Sequence, residues 1–223
     1  MSKAKTNQTR IAYCQRQLEN LAKADIPAQA KALGLALDLS GQKALVKFLG
    51  RKYLISNSGI EATDNLNVTV DTQSILAHYL CSPGRGEIAE DFVSIGRLTG
   101  VASGSHGGIS PSESLSKPLG DKFGADYQAF RSSALEAGAI YKGLSQAGAQ
   151  SFLLEDLPKV PVKLEFFEAD EEFDAEIKLL FNTNSIIFVN YECLELITMS
   201  IVVDLLLRAK LITDPEDCEA SFI

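Results

Sequence analysis

The chain has 223 residues, of which 46% are hydrophobic and 22% charged, with a formal net charge of -8, four Cys, two His and no Trp. A chain of this length and composition can bury a core of its own, which excludes an intrinsically disordered, collagen-like or coiled-coil protein. The charge is unevenly distributed, because residues 1–54 carry +7 and the remaining residues carry -15. A basic first quarter therefore precedes a strongly acidic remainder.

Four segments have the hydrophobic periodicity of helices, with apolar residues three or four positions apart. They span about residues 9–24, 72–81, 122–137 and 192–210. Asp71 is the expected N-cap of the second helix and Asp121 that of the third. Apolar side chains surround the last helix on nearly all sides, so it is expected to be buried in the core or in an interface.

Alternating hydrophobic residues between turn signals predict the strands. They cover about residues 44–49, 52–56, 66–70, 151–155, 161–167, 177–181 and 186–189. The first two should form a β-hairpin in which Gly50 supplies a positive φ. No linker divides the chain, so we predict a single α+β domain with an antiparallel or mixed sheet flanked by helices. We expect a basic helical segment at 1–43 and the α+β domain proper at 44–223.

The most distinctive motif is the acidic run Glu168-Ala-Asp-Glu-Glu-Phe-Asp-Ala-Glu176, which with Glu165 places seven carboxylates within twelve residues. If the run opens a helix, Asp170 and Asp174 share one face and repel each other. A divalent cation such as Mg²⁺ or Ca²⁺ would offset the repulsion, with Glu172 as a third ligand. Two alternatives stay open, a solvated acidic turn and a docking surface for a basic segment.

A wider candidate polar site combines this run with residues elsewhere in the chain. Its members are Arg97, Asp170, Glu171, Glu172, Glu192 and His78. Arg97 could pair with a carboxylate or hold an anionic ligand, and Glu171 or Glu172 could act as a general base. His78 lies beside an apolar helix face, where a hydrogen-bonded boundary histidine is the alternative to a catalytic one. The glycine-rich residues 104–108 offer backbone amides to an anion, with an ordinary loop as the alternative.

Several classes of ligand and location are excluded or disfavoured. The cysteines are widely spaced without a Cys-x-x-Cys pair, so we expect free thiols and no iron–sulfur cluster bound by this chain alone. The spread of basic residues and the acidic remainder disfavour nucleic acid. The most apolar segment, 194–207, is shorter than the roughly 20 residues of a membrane span and contains Glu195 and Asp204. With a polar start that lacks a secretory signal, a cytoplasmic location is expected.

Three groups of segments together resemble a known family. They are Ser74-Ile-Leu-Ala-His-Tyr-Leu-Cys81 with Pro83-Gly84, then Lys117-Pro-Leu-Gly-Asp-Lys-Phe-Gly124, then Leu157-Pro-Lys-Val-Pro-Val-Lys-Leu164 with residues 169–173, Leu180-Phe181 and Glu192. The family is an uncharacterised one of anaerobic bacteria and archaea, catalogued as a domain of unknown function, and the resemblance spans about residues 44–207. The chain departs from the family pattern at Asp174, where Pro is expected, and at Asn182, where Asp is usual.

The resemblance also implies a cellular setting. Some relatives are fused to a four-cysteine iron–sulfur domain similar to that of corrinoid iron–sulfur proteins. This fusion implies anaerobic redox or one-carbon metabolism, with an iron–sulfur or corrinoid protein as a partner.

Three classes of function remain open at the level of sequence. The first is a cytoplasmic binding or accessory protein that uses its acidic site for a cation or a basic partner. The second is an enzyme with Glu171 or Glu172 as general base and Arg97 as anion holder. The third is a structural subunit, or a homo-oligomer formed through residues 192–210. A pocket around the carboxylates would favour the enzyme, and an open surface would favour the binding protein.

Overall fold

Helices and two antiparallel sheets make up the part of the chain that the computed structural model describes, residues 3–98 and 119–215. This architecture confirms the predicted α+β fold with a C-terminal helix. The candidate anion loop at 104–108 lies outside the described residues. Among the described helices, none combines the length and apolarity needed to cross a membrane.

The described ranges contain seven helices besides a short helical stretch at residues 119–123. They are α1 (Lys3–Leu21), α2 (Ile26–Leu33), α3 (Val70–Leu80), α4 (Ile95–Leu98), α5 (Tyr127–Glu136), α6 (Ser185–Phe188) and α7 (Tyr191–Arg208). The helix α3 packs between α1 and α7, and α5 also packs against α7. The four predicted helices correspond to α1, α3, α5 and α7, while the predicted strand at 186–189 is wrong because most of that segment forms α6.

The predicted cap of α3 is wrong by two residues. Thr69 is the N-cap, and its hydroxyl oxygen accepts a hydrogen bond from the Thr72 N–H at 3.2 Å. Asp71 lies instead in the first turn, where it forms an ion pair with Arg10 of α1. Asp71 therefore links α3 to α1 instead of capping α3.

The predicted cap of α5 is also wrong. Residues 119–123 form a separate short helical stretch that contains Asp121. The helix α5 begins later, and its N-cap is Asp126, whose carboxylate accepts a hydrogen bond from the Ala129 N–H at 2.9 Å. The single predicted helix is thus two consecutive ones.

The strands form one sheet of four and one of five. They are β1 (Ala36–Leu37), β2 (Ala44–Phe48), β3 (Arg51–Ser56), β4 (Gly59–Ala62), β5 (Phe92–Val93), β6 (Ile140–Leu144), β7 (Gln150–Leu154), β8 (Val162–Phe167) and β9 (Glu176–Asn182). The first sheet has the order β1-β2-β3-β4 and the second the order β5-β9-β8-β7-β6. The strand expected at 66–70 does not form.

The predicted β-hairpin with a positive φ at Gly50 is confirmed, but its turn lies at Leu49-Gly50, one residue earlier than predicted, because Arg51 already pairs within β3. Ala44 pairs with Ile55 and Phe48 with Arg51, which leaves a two-residue turn. Its residues, Leu49 and Gly50, have φ values of 50° and 75°. Two positive φ values are what a type I′ hairpin turn requires, because this turn matches the twist of the strands.

The hydrophobic core joins both sheets to the helices. Phe130 of α5 is fully buried and packs against Phe123, Phe152 and Phe166, with ring centroids 5.2–5.6 Å apart. The buried face of α7 repeats at helical spacing and comprises Cys193, Leu194, Ile197, Thr198, Ile201, Val202, Leu205 and Leu206. The apolar face of the last helix is therefore covered by the chain's own core.

Candidate functional site

The acidic run forms a turn between β8 and β9. Residues 168–175 contain neither helix nor strand, and the Phe167–Glu176 pair of the β8–β9 ladder closes the turn. The Asp170 carboxylate accepts hydrogen bonds from the N–H groups of Glu172 and Phe173, both at 2.8 Å. These two donors hold the pKa of Asp170 below its ordinary value. The helix that would align Asp170 with Asp174 does not form. We call residues 168–176 the acidic turn.

Most of the charge on the acidic turn faces solvent. Its six exposed carboxylates belong to Glu168, Asp170, Glu171, Glu172, Asp174 and Glu176. Phe173, in the middle of the turn, is 70% exposed. Glu165, the seventh carboxylate of the segment 165–176, lies outside the turn and is buried on β8, with the Lys163 ammonium 3.9 Å from its carboxylate. The turn therefore combines a dense negative charge with one large exposed apolar side chain.

The neighbouring strands neutralise little of this charge. Lys178 of β9 lies 3.0 Å from the carboxylate of Glu176, and its ammonium also lies 4.5 Å from the ring centroid of Phe167. Gln150 of β7 donates a hydrogen bond to Glu168 at 3.4 Å. Both contacts are at the ends of the acidic turn, so the carboxylates at its centre face solvent.

The candidate metal ligands are not gathered into a coordination shell. Asp170, Glu172 and Asp174 are all exposed on the acidic turn. Within residues 3–98 and 119–215, no group of three or more His, Cys, Asp or Glu side chains is placed to hold a metal ion. The geometry of the turn suits contact with a large charged surface better than enclosure of a small cation.

A second polar cluster lies where α1, α3 and the start of α7 meet. The Asn190 N–H points at Nε2 of His78 at 3.4 Å, and Nδ1 of the same ring lies 3.0 Å from the Tyr13 hydroxyl. Since Nε2 accepts, Nδ1 carries the proton and donates to the hydroxyl oxygen. The hydroxyl then donates to the Asn190 side-chain oxygen at 3.3 Å. The three residues form a closed ring of hydrogen bonds around a neutral imidazole.

Burial and charge keep this imidazole neutral. Burial lowers the pKa of His78, and the nearby Arg16 guanidinium lowers it further. Burial also raises the pKa of the Tyr13 phenol. The Asn190 side-chain oxygen, which accepts from Tyr13, also caps α7 by accepting a hydrogen bond from the Cys193 N–H at 2.9 Å. The cluster therefore fixes the start of α7 against α1 and α3.

The structure divides the predicted polar site into separate parts. Glu192 lies beside the cluster around His78, to which Arg16 connects it. The Arg16 guanidinium is 3.6 Å from the Glu192 carboxylate and 5.2 Å from the centroid of the Tyr13 ring. The members on the acidic turn are not part of this cluster. Arg97 is exposed on α4, and among the described residues no hydrogen bond or ion pair joins it to the other candidates.

Two members of the second cluster were not predicted from sequence. Tyr13 had no periodic signal beyond its place in an amphipathic helix, and Asn190 lies 112 residues from His78. A local signal for Asn190 did exist, because Asn directly before an apolar helix is a typical N-cap. Of the cysteines, Cys14 and Cys193 are buried, Cys81 is half-buried, and all three are free thiols.

The fold and the surface define the class of protein: an α+β domain of two antiparallel sheets that presents its carboxylates on an open turn. The chain belongs to the family described as a domain of unknown function (DUF3786), which matches residues 25–203. This membership agrees with the resemblance to an uncharacterised domain family. No curated protein and no solved structure matches the chain.

Proposed function

We propose that the protein is a binding or accessory protein that docks a basic protein partner on the acidic turn. The observation that carries this proposal is the group of six exposed carboxylates around the exposed ring of Phe173. Within the described part of the chain, Glu176 is the one member of the turn that forms an ion pair. The remaining charges are available to a partner.

Charge and apolar surface have complementary roles in such docking. Exposed charges of one sign steer an oppositely charged partner and fix its orientation, over a range of about 8 Å at physiological salt. A buried aromatic anchor supplies affinity once the surfaces meet. Phe173 is placed for this second role, because its ring stands out from the middle of the charged turn.

The open placement of the carboxylates supports binding over catalysis. Glu171 and Glu172 are exposed, whereas a general base is normally held in a cleft beside its substrate. Arg97, the anion holder of the enzyme hypothesis, is exposed on α4, and in the described ranges no hydrogen bond or ion pair joins it to either carboxylate. A basic partner therefore suits the acidic turn better than a substrate or a metal ion.

We place the partner among iron–sulfur or corrinoid proteins of anaerobic redox or one-carbon metabolism. Support comes from the resemblance, which implies relatives fused to an iron–sulfur domain. The three described cysteines are free thiols on α1, directly after α3 and on α7, and their sequence spacing matches no cluster motif, so we assign the cluster to the partner. Free thiols also support a cytoplasmic location.

Oligomerisation through residues 192–210 is not part of the proposal. The side chains that would form such an interface, including Leu194, Ile201 and Leu205, are at most 1% exposed within the single chain. A helix that already packs against its own core needs no second copy to cover it.

The first test is a calorimetric titration with a synthetic lysine-rich peptide that carries one central aromatic residue. We expect the wild-type protein to bind this peptide and the affinity to fall as salt is raised. The triple variant Glu171→Gln, Glu172→Gln, Asp174→Asn should lose most of the binding. These three side chains are exposed and form no hydrogen bond or ion pair with the described residues, so the variant should keep the wild-type fold.

The matched control removes three exposed carboxylates elsewhere. Glu90→Gln, Glu136→Gln and Glu155→Gln change the net charge by the same amount away from the acidic turn. We expect this control to bind the peptide as the wild type does. Equal binding by the acidic-turn variant and the wild type would refute the proposal, and so would equal losses in both triple variants.

The second test addresses the nature of the partner. The protein would be purified under anaerobic conditions from its native source, once as wild type and once as the acidic-turn triple variant. The proposal predicts a copurifying protein with iron and acid-labile sulfide, or with cobalt, in the wild-type eluate and its loss from the variant. A partner without these metals, or one retained by the variant, would contradict this assignment.

A further inference from the structure

A second candidate binding surface lies away from the acidic turn, between the helix α1 and the sheet edge formed by β4. An open groove of about 840 Å³ runs between α1, the β3–β4 turn and α3. Its volume is within the range of about 300–1,000 Å³ that is typical of sites for small molecules. None of its lining residues belongs to the acidic turn or to the cluster around His78.

The groove presents hydrogen-bond acceptors. Asn57 uses both N–H groups of its amide on the carbonyl oxygens of Leu21 and Ala24, at 2.9 and 2.8 Å. Gln73 donates from its amide to the Val68 carbonyl at 3.0 Å. Among the described residues, no hydrogen bond uses the side-chain oxygens of Asn57 and Gln73, so both oxygens can accept from a ligand.

The groove is also negatively charged. Glu19 of α1 and Glu61 of β4 line it from two different elements, and no basic residue lines it among those described. Lys43 forms an ion pair with Glu61 at 3.3 Å, but this pair is exposed and therefore weak. Two carboxylates on separate elements attract a ligand with more than one positive charge.

Apolar atoms complete the lining. Ile60 of β4 and Ala22, just after α1, lie between the polar residues of the groove. Such a surface can contact the methylene groups of a chain whose charged ends reach the carboxylates. Two carboxylates are fewer than the oxygen ligands that Mg²⁺ or Ca²⁺ gathers in a protein site, so the groove suits an organic cation better than a metal ion.

We infer that this groove binds a flexible organic cation rich in N–H donors, of the linear polyamine class. Its ammonium groups would pair with Glu19 and Glu61, its remaining N–H groups would donate to the amide oxygens of Asn57 and Gln73, and its methylenes would lie along Ile60. This inference is independent of the basic partner proposed for the acidic turn.

The test is a calorimetric titration of the full chain with spermidine at about 0.15 M salt, where unspecific charge attraction is screened beyond about 8 Å. We expect saturable binding that weakens at least about tenfold in the double variant Glu19→Gln, Glu61→Gln. Ala22→Phe, which fills the groove without a change of charge, should weaken binding as well. A neutral diol of similar length should not bind.

The charge-matched control is Glu136→Gln with Glu155→Gln, two exposed positions outside the groove. It should bind spermidine as the wild type does. Absence of saturable binding by the wild type would overturn the inference. Unchanged binding by the Glu19 and Glu61 variant, or by Ala22→Phe, or an equal loss in the control, would also overturn it.

Discussion

Replacement of Tyr13 by Phe tests the closed ring of hydrogen bonds that joins α1, α3 and α7. The substitution removes a single oxygen atom. The ring of the new Phe can still stack on His78, with which Tyr13 now makes a nearly parallel contact at 6.1 Å between centroids. Arg16 keeps its position over the same ring. The effect on stability is therefore that of the hydroxyl alone.

The expected magnitude follows from the groups that lose a partner. The Asn190 oxygen still accepts from the Cys193 N–H at 2.9 Å, so it is not left unsatisfied. The Nδ1–H of His78 loses its acceptor at 3.0 Å. A buried donor without a partner costs about 1–3 kcal/mol, and a half-buried one lies at the lower end of that range. We expect Tyr13→Phe to reduce the free energy of unfolding by about 1–1.5 kcal/mol.

Urea unfolding followed by circular dichroism measures this change. The matched control is Tyr141→Phe, because the Tyr141 hydroxyl donates to Gln150 at a shorter 2.7 Å but belongs to a residue that is 42% exposed. Water replaces an exposed partner, so the control should change the free energy of unfolding by less than about 0.5 kcal/mol. Equal effects of the two substitutions, or no effect of Tyr13→Phe, would show that the Tyr13 hydroxyl does not stabilise the junction of α1, α3 and α7.

Three further substitutions test other parts of the structure. Burial lowers the pKa of His78 below 6.5, so as the pH falls the unfolded chain binds a proton before the folded chain does. The contribution of His78 to the free energy of unfolding is therefore complete above pH 6.5 and is lost as the pH falls below it. His78→Gln should remove this pH dependence of stability in urea titrations between about pH 7.5 and 5.5. Phe130→Ala, at a fully buried site, should cost about 3–5 kcal/mol in urea unfolding, and a cost under about 1 kcal/mol would contradict the packing described. Gly50→Ala places a Cβ 2.8 Å from the Glu136 carbonyl oxygen, so it should lower the thermal midpoint more than Gly41→Ala, which has a similar φ and open space.

Local signals were sufficient for the elements that depend on neighbouring residues. The β2–β3 hairpin needed alternation and a glycine at a positive φ, and both are visible in the sequence around Gly50. The helix α7 also follows from its run of apolar residues. Such elements are specified within about twenty residues of chain, so a reading of periodicity finds them.

Sequence patterns mislead for two reasons: a distant residue decides the outcome, or the segment lacks a clear alternation of hydrophobic and polar positions. Asp71 has the chemistry of an N-cap, but Arg10 of α1 draws it into an ion pair and Thr69 takes its place. The segment Ser185–Phe188 is apolar enough for a strand but forms a helical turn. The edge strand β6 was missed because all but one of its residues are exposed, so it has no alternation of buried and polar positions.

The candidate sites also differ in whether neighbouring residues or distant contacts form them. The acidic turn was visible as a run of carboxylates, and one of the alternatives for it, a solvated turn, is what the structure has. The ring of Tyr13, His78 and Asn190 joins residues up to 177 positions apart, and no local pattern reports such a contact. The groove beside Asn57 depends in the same way on the packing of α1 against a sheet edge.

Hydrogen exchange of the backbone amides, measured with and without the lysine-rich peptide, shows whether the acidic turn is the docking surface. We expect slower exchange at residues 168–176 on binding and no such change in the triple variant Glu171→Gln, Glu172→Gln, Asp174→Asn. Peptide binding that slows exchange elsewhere, with the acidic turn unchanged, would contradict the docking role of the acidic turn.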